Sequence, residues 1–312
     1  MASVTFGLRP VAPFRLDFTA WALRRRARNI VDRWEDGTYS RVVVIEETPV
    51  EVMVTQTGSR ETPNLAVTIA GTLKPQTRPT VARLLTSMLG LRANLRPFYQ
   101  LAASDRRLAP LVEQFRGLKP PRFPTPFEAL VNAIACQQLS LTVGIELLNR
   151  TARQCGLALA RGDFVHYAFP QATDLLRLKT QTLRRLGFSH NKARSLLELS
   201  GSIAAGQLSP ERMRTLDDQS VIDRLIKLRG VGRWTAEYVL LRGLGRISTF
   251  PGDDVGARNH LTLWLGRDKP LDYQGVKRAL RRWQPYAGLV YFHLLLAGLI
   301  ESGEMPQIPR FT

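Results

Sequence analysis

The chain has 312 residues, 44% of them hydrophobic, and its 44 Lys and Arg against 26 Asp and Glu give a formal charge of +18. A charge that large exceeds what solubility asks for and points to a polyanionic partner; nucleic acid leads an anionic membrane, because no apolar run is long enough to span a bilayer. Two cysteines (Cys136, Cys155) exclude a four-cysteine zinc or iron–sulfur site, the four histidines form no H-x-x-x-H pair, and no phosphate-loop motif occurs, which excludes the usual metalloenzyme and nucleotide-hydrolysing chemistries.

Residues 18–34 carry helical spacing around the cluster Arg24-Arg25-Arg26, and Asp36-Gly37 supplies turn chemistry after them. Three β-branched runs follow at 41–45, 50–54 and 65–69, the last two alternating apolar and polar positions, and 80–89 reads as a helix. The expectation is an α+β protein, with a mixed α/β domain of antiparallel sheet and helices over 1–91 and an all-α region over 92–312.

In the second region a proline-rich joint, Lys119 to Pro124, leads to a marked helix start. Thr125 stands as N-cap, Pro126 at the first helical position, and Glu128 where it would close a capping box. That helix is expected over 127–138, a second begins after the cap Ser140 and stops at Gly156, and a third covers 191–205. Farther on, Leu228-Arg229-Gly230-Val231-Gly232-Arg233-Trp234-Thr235-Ala236 sits between two helical patterns. Two glycines around one apolar residue let the chain reverse tightly and expose backbone amides suited to a phosphate. The same turn also fits an ordinary helix end beside a loop.

The next loop, Thr249-Phe250-Pro251-Gly252-Asp253-Asp254-Val255-Gly256-Ala257-Arg258, adds specificity. Hairpin and loop together resemble the helix-hairpin-helix DNA glycosylase superfamily, in which a hairpin and a Gly/Pro-rich loop precede a catalytic Asp opening the next helix. The bacterial 3-methyladenine DNA glycosylase II type is the nearest match, through the hairpin, Gln137-Gln138-Leu139-Ser140 and Arg282-Trp283-Gln284-Pro285-Tyr286. By this resemblance Asp254 is the catalytic residue, although an Asp at a helix start is also an N-cap. Trp234, Tyr238 and Trp21 are implied as substrate-binding aromatics, with core packing as the alternative for the first two. Phe123 is implied as the wedge that fills the gap left by a flipped nucleotide, or else as a buried loop aromatic. Gly230, Gly232 and Thr235 are implied to meet the DNA backbone.

The resemblance implies further that no cofactor is required, and that the carbonyls of Ile226, Leu228 and Gly230 can hold a monovalent cation. Bifunctional relatives carry a lysine two residues after the second hairpin glycine. Trp234 stands there in this chain, so a monofunctional enzyme is expected, and its indole face suits a cationic, alkylated base. Val255 and Leu295 replace aromatics of the family's pocket, which leaves glycosylases for oxidised guanine, hypoxanthine or mismatched bases as alternatives, beside a non-catalytic DNA-binding protein. The expected partner is double-stranded DNA containing damaged bases, engaged by a monomer. No charged-then-apolar signal pattern opens the chain, so a cytoplasmic, chromosome-associated protein is expected.

Overall fold

The computed structural model describes residues 2–306. The N-terminal part contains β1 (Ala2–Leu8), α1 (Leu16–Arg24), β2 (Arg33–Glu35), β3 (Thr38–Ile45), β4 (Thr48–Gln56), β5 (Leu65–Gly71) and α2 (Thr77–Met88). The strands form an antiparallel sheet in the order β1-β5-β4-β3-β2. Alternation in β5 turns Leu65, Val67 and Ile69 inward, where they pack with Leu16, Leu23 and Leu85 of the two helices.

Two expectations for this part are corrected. β1 was not anticipated; its Val4, Phe6 and Leu8 alternate but are interrupted by Thr5 and Gly7. The helix expected to reach residue 34 stops at Arg25, which adopts a left-handed φ of 60° while its N–H donates to the Trp21 carbonyl at 2.8 Å. Asn29 then accepts the N–H groups of Val31 and Asp32 on its side chain, a local turn that competes with helix and releases the chain into β2. The Asp36-Gly37 turn forms as expected, with φ of 46° and 75°.

The remainder comprises α3 (Arg96–Ala103), α4 (Leu108–Gln114), α5 (Pro126–Cys136), α6 (Leu141–Cys155), β6 (Ala158–Arg161), β7 (Phe164–Tyr167), α7 (Ala172–Leu176), α8 (Thr180–Leu186) and α9 (His190–Ala204). After these come α10 (Pro210–Thr215), α11 (Asp218–Leu225), α12 (Arg233–Arg242), α13 (Val255–Trp264), α14 (Tyr273–Leu280) and α15 (Ala287–Glu301). The β6–β7 hairpin corrects the all-α expectation. Its Leu159 packs with Val42 of the N-terminal sheet, so the hairpin borrows its apolar contact from the other region.

Thr125 caps α5 by accepting the Glu128 N–H at 3.1 Å, but the capping box is only half made. The Glu128 carboxylate turns instead to Arg41 at 2.6 Å, and Arg41 also donates to Asp32 at 3.0 Å. This buried ion network ties β3 to the start of α5, and α5 is the central helix of the helical region. Removing one member would strand a buried charge at a cost of about 3–5 kcal/mol.

Candidate active site

Three helix starts and one helix end converge on a single face. The Gly230 to Gly232 turn joins α11 to α12, Asp254 opens α13, and Ser189 opens α9 opposite the α5–α6 junction. A cleft of about 780 Å³ runs between them, lined by residues that include Gln137, Leu139, Lys192, Gly230, Trp234 and Asp254. The packing under the hairpin admits only glycine: at Gly230, φ is 73° and a Cβ would lie 2.4 Å from the Ser195 Oγ. Gln137 fixes the turn from the other side, its Nε2 donating to the Gly230 carbonyl at 2.8 Å and to the Thr235 Oγ1 at 2.9 Å. Lys192 caps the end of α5 by donating to the carbonyls of Ala135 at 3.0 Å and Gln137 at 2.6 Å.

Beside the cleft a cavity of about 440 Å³ opens toward the interior, with Asp254, Trp234, Tyr238, Tyr291, Leu139 and Arg25 among its walls. Asp254 does two jobs at once. One carboxylate oxygen accepts the Ala257 N–H at 2.9 Å, which is the N-cap of α13, while the other lies 3.5 Å from the Tyr291 hydroxyl. Burial raises Tyr291 well above its ordinary value, so it remains a neutral hydroxyl beside the carboxylate. The loop presenting Asp254 is clamped from behind. Glu237 of α12 accepts the Gly252 N–H at 3.1 Å and the Tyr273 hydroxyl at 2.5 Å, and the Tyr273 ring lies so close that a Cβ on Gly252 would meet it at 2.7 Å.

Trp234 and Tyr238 stand one helical turn apart on α12, with ring centroids 5.8 Å apart and planes tilted by 42°. Both line the cavity, so each is a wall residue as well as a packing residue. Gly230 and Gly232 are exposed on the hairpin as expected. Three sequence-based assignments are not met. Thr235 is 1% exposed and its hydroxyl is occupied by Gln137, so it cannot offer that hydroxyl to DNA. Trp21 is 5% exposed in the core between α1 and α15, under the Arg24 guanidinium at 5.1 Å, and is absent from the cavity wall. Phe123 is 2% exposed, its N–H donating to the Arg242 carbonyl at 2.7 Å and its ring covered by Arg242 and Arg25 at 4.9 and 5.4 Å.

Sequence reasoning passed over Leu139, which is 42% exposed and sits at the mouth of both openings. Its signal was present as a large apolar residue between two capped helices, and the left-handed φ of 54° at Gln138 is what turns the junction outward. Arg25, Tyr291 and Glu237 were also missed, since none falls in the hairpin or aspartate motifs. Of the carbonyls assigned to a monovalent cation, the one at Leu228 accepts the Val231 N–H at 3.2 Å and the one at Gly230 accepts Gln137. A carbonyl keeps a second lone pair, so a cation remains chemically admissible there, and no step below is routed through one.

A carboxylate cannot approach the sugar of a stacked nucleotide, so a cavity of nucleobase size behind a backbone-gripping hairpin is what a base-flipping enzyme needs. Fold and site together define the class, a DNA N-glycosylase of base-excision repair. Two family models match the chain: "AlkA N-terminal domain" over residues 5–124 and "HhH-GPD superfamily base excision DNA repair protein" over residues 131–285. The chain belongs to the helix-hairpin-helix DNA glycosylase superfamily, in its alkylbase glycosylase branch, and DNA is its partner. It is 27% identical to a Bacillus subtilis (strain 168) DNA-3-methyladenine glycosylase over 70% of this chain and 73% of that one. It is 26% identical to DNA-3-methyladenine glycosylase 2 of Escherichia coli (strain K12) over 90% and 93% of the two chains. Among solved structures, the 3-methyladenine DNA glycosylase of Archaeoglobus fulgidus superposes with a TM-score of 0.83 at 24% identity, covering 95% of this chain and 99% of that one.

Proposed function

We propose that this protein flips alkylated purines such as N3-methyladenine and N7-methylguanine out of double-stranded DNA and hydrolyses their N-glycosidic bond, leaving an abasic site. The observation that carries the reading is Asp254, whose free carboxylate oxygen shares a cavity wall with Trp234 and Tyr238. As the base departs, positive charge builds on the deoxyribose, and a fixed carboxylate near C1′ stabilises it and orients the attacking water. An alkylated purine already bears positive charge, so it leaves without a strong general acid. Leu139, exposed at the cavity mouth, replaces Phe123 as the residue that enters the vacated stack. The curated relatives' names favour alkylated purines over oxidised guanine, hypoxanthine or mismatched bases.

Trp234 occupies the position at which a bifunctional enzyme places its lysine nucleophile, which supports a monofunctional reaction. The site is built from one chain, which supports a monomer, working on the chromosome in the cytoplasm. Incubation with methylated DNA is expected to release N3-methyladenine and N7-methylguanine while borohydride traps no protein–DNA adduct. Absence of base release overturns the reading, and a trapped lysine adduct overturns its monofunctional part.

A further inference from the structure

Arg25 lies in the wall of the base cavity, is 4% exposed, and has no carboxylate partner among the described residues. Its guanidinium is aimed by three neutral acceptors: the Leu23 carbonyl at 3.3 Å, the Tyr238 hydroxyl at 3.0 Å and the Asn132 side-chain oxygen at 2.5 Å. Asp32, a carboxylate in its vicinity, is already taken by Arg41 and Tyr39. A buried guanidinium stays charged, and burying one without a counter-ion is costly unless the exposed edge of the fork serves a ligand. A second arginine stands behind it. Arg242 is fully buried, donates to the Ala22 carbonyl at 2.8 Å, and rests on the rings of Phe123 and Tyr238 at 4.9 and 5.9 Å. The Trp234 indole N–H in the same wall is likewise buried without a partner among the described residues.

This side of the cavity therefore presents donors and positive charge, which is the wrong complement for a base that is itself a cation. The Trp234 face attracts such a base, but the two guanidinium groups oppose it. They suit the opposite case, a neutral purine with a carbonyl or ring-nitrogen acceptor that gains negative charge as it leaves. We infer that Arg25 is a specificity-determining residue that binds the acceptor edge of a neutral lesion base and stabilises its departure, extending the enzyme beyond cationic bases. The inference rests on the glycosylase reading above. In the step it describes, the C1′–N9 bond breaks with its electron pair going to the base, and water adds to C1′. The proton of that water passes by way of Asp254 or solvent to the departed base, so base and sugar end as free purine and abasic site. Arg25 donates hydrogen bonds to the base throughout and gives up no proton. A cationic base needs none of this help.

The test compares single-turnover release of hypoxanthine from a defined duplex with release of N7-methylguanine from methylated DNA, in the wild type and in Arg25→Gln. The inference predicts that the wild type releases both and that the hypoxanthine to N7-methylguanine rate ratio falls at least tenfold in the variant. If the wild type releases N7-methylguanine but no hypoxanthine, or if both rates fall by one common factor, the role given to Arg25 is wrong while the glycosylase reading stands. Release of neither base by the wild type overturns the glycosylase reading itself. Circular dichroism and thermal melting establish that the variant is folded; should it not be, Arg25→Lys, which loses the planar fork, is read by the same ratio, a fall supporting and no change refuting.

Discussion

At the scale of single residues, Phe123 and Leu139 exchange the parts that sequence assigned them. A phenylalanine bracketed by prolines reads as a loop tip, yet Phe123 is buried beneath two guanidinium groups and packs 6.3 Å from Tyr238. Phe123→Ala is therefore expected to destabilise the fold by about 3–5 kcal/mol, measured by denaturant unfolding. Leu139→Ala should change stability by only about 0.5 kcal/mol and weaken binding to abasic-site DNA, measured by fluorescence anisotropy. Equal binding by wild type and Leu139→Ala would return the wedge to another residue. Residue identity and local motif were enough for Asp254, because a carboxylate that opens a helix after a Gly/Pro loop declares itself. They were not enough for Phe123, Trp21 or Arg25, whose roles depend on which distant chain covers them.

At the scale of elements, helix starts were readable and helix ends less so. Thr125, Ser140 and Asp254 each accept a backbone N–H from three residues onward, a rule that needs no tertiary context. The end of α1 turned on Asn29 forming a local turn, a competition that periodicity does not register. The loop ahead of α13 depends on a contact that sequence gave no hint of, the clamp of Glu237 and Tyr273 on Gly252. Tyr273 is far from the cavity wall and acts through the loop, so Tyr273→Phe should lower the single-turnover rate roughly tenfold while leaving affinity for abasic-site DNA near wild type. A matching loss in rate and affinity would mean the tyrosine merely holds the fold together.

At the scale of the whole molecule, the sheet domain and the helical region share interior contacts that make stability sensitive to pH. His293 of α15 is enclosed by Phe98 and Phe115, at 5.5 and 6.1 Å, and its Nδ1–H donates to the Leu289 carbonyl at 2.7 Å. Burial pushes it down to about 4 from an ordinary 6.5. The unfolded chain thus binds a proton that the folded chain refuses. Stability is at its full value above pH 6.5 and falls by about 3 kcal/mol as pH drops from 6.5 to 4, seen as a falling unfolding midpoint. A midpoint that holds steady across this window would contradict the burial of a neutral imidazole. Architecture and partner were visible in the sequence through the strand runs, the hairpin and the charge of +18. The division of labour around the cavity was not, because it arises where α1, α12, α13 and α15 meet. The most direct test of the account is base release by Asp254→Asn, which keeps the helix cap and removes the charge. It should bind damaged DNA like the wild type and release no N3-methyladenine or N7-methylguanine above background; release at the wild-type rate would contradict the central role given to this carboxylate.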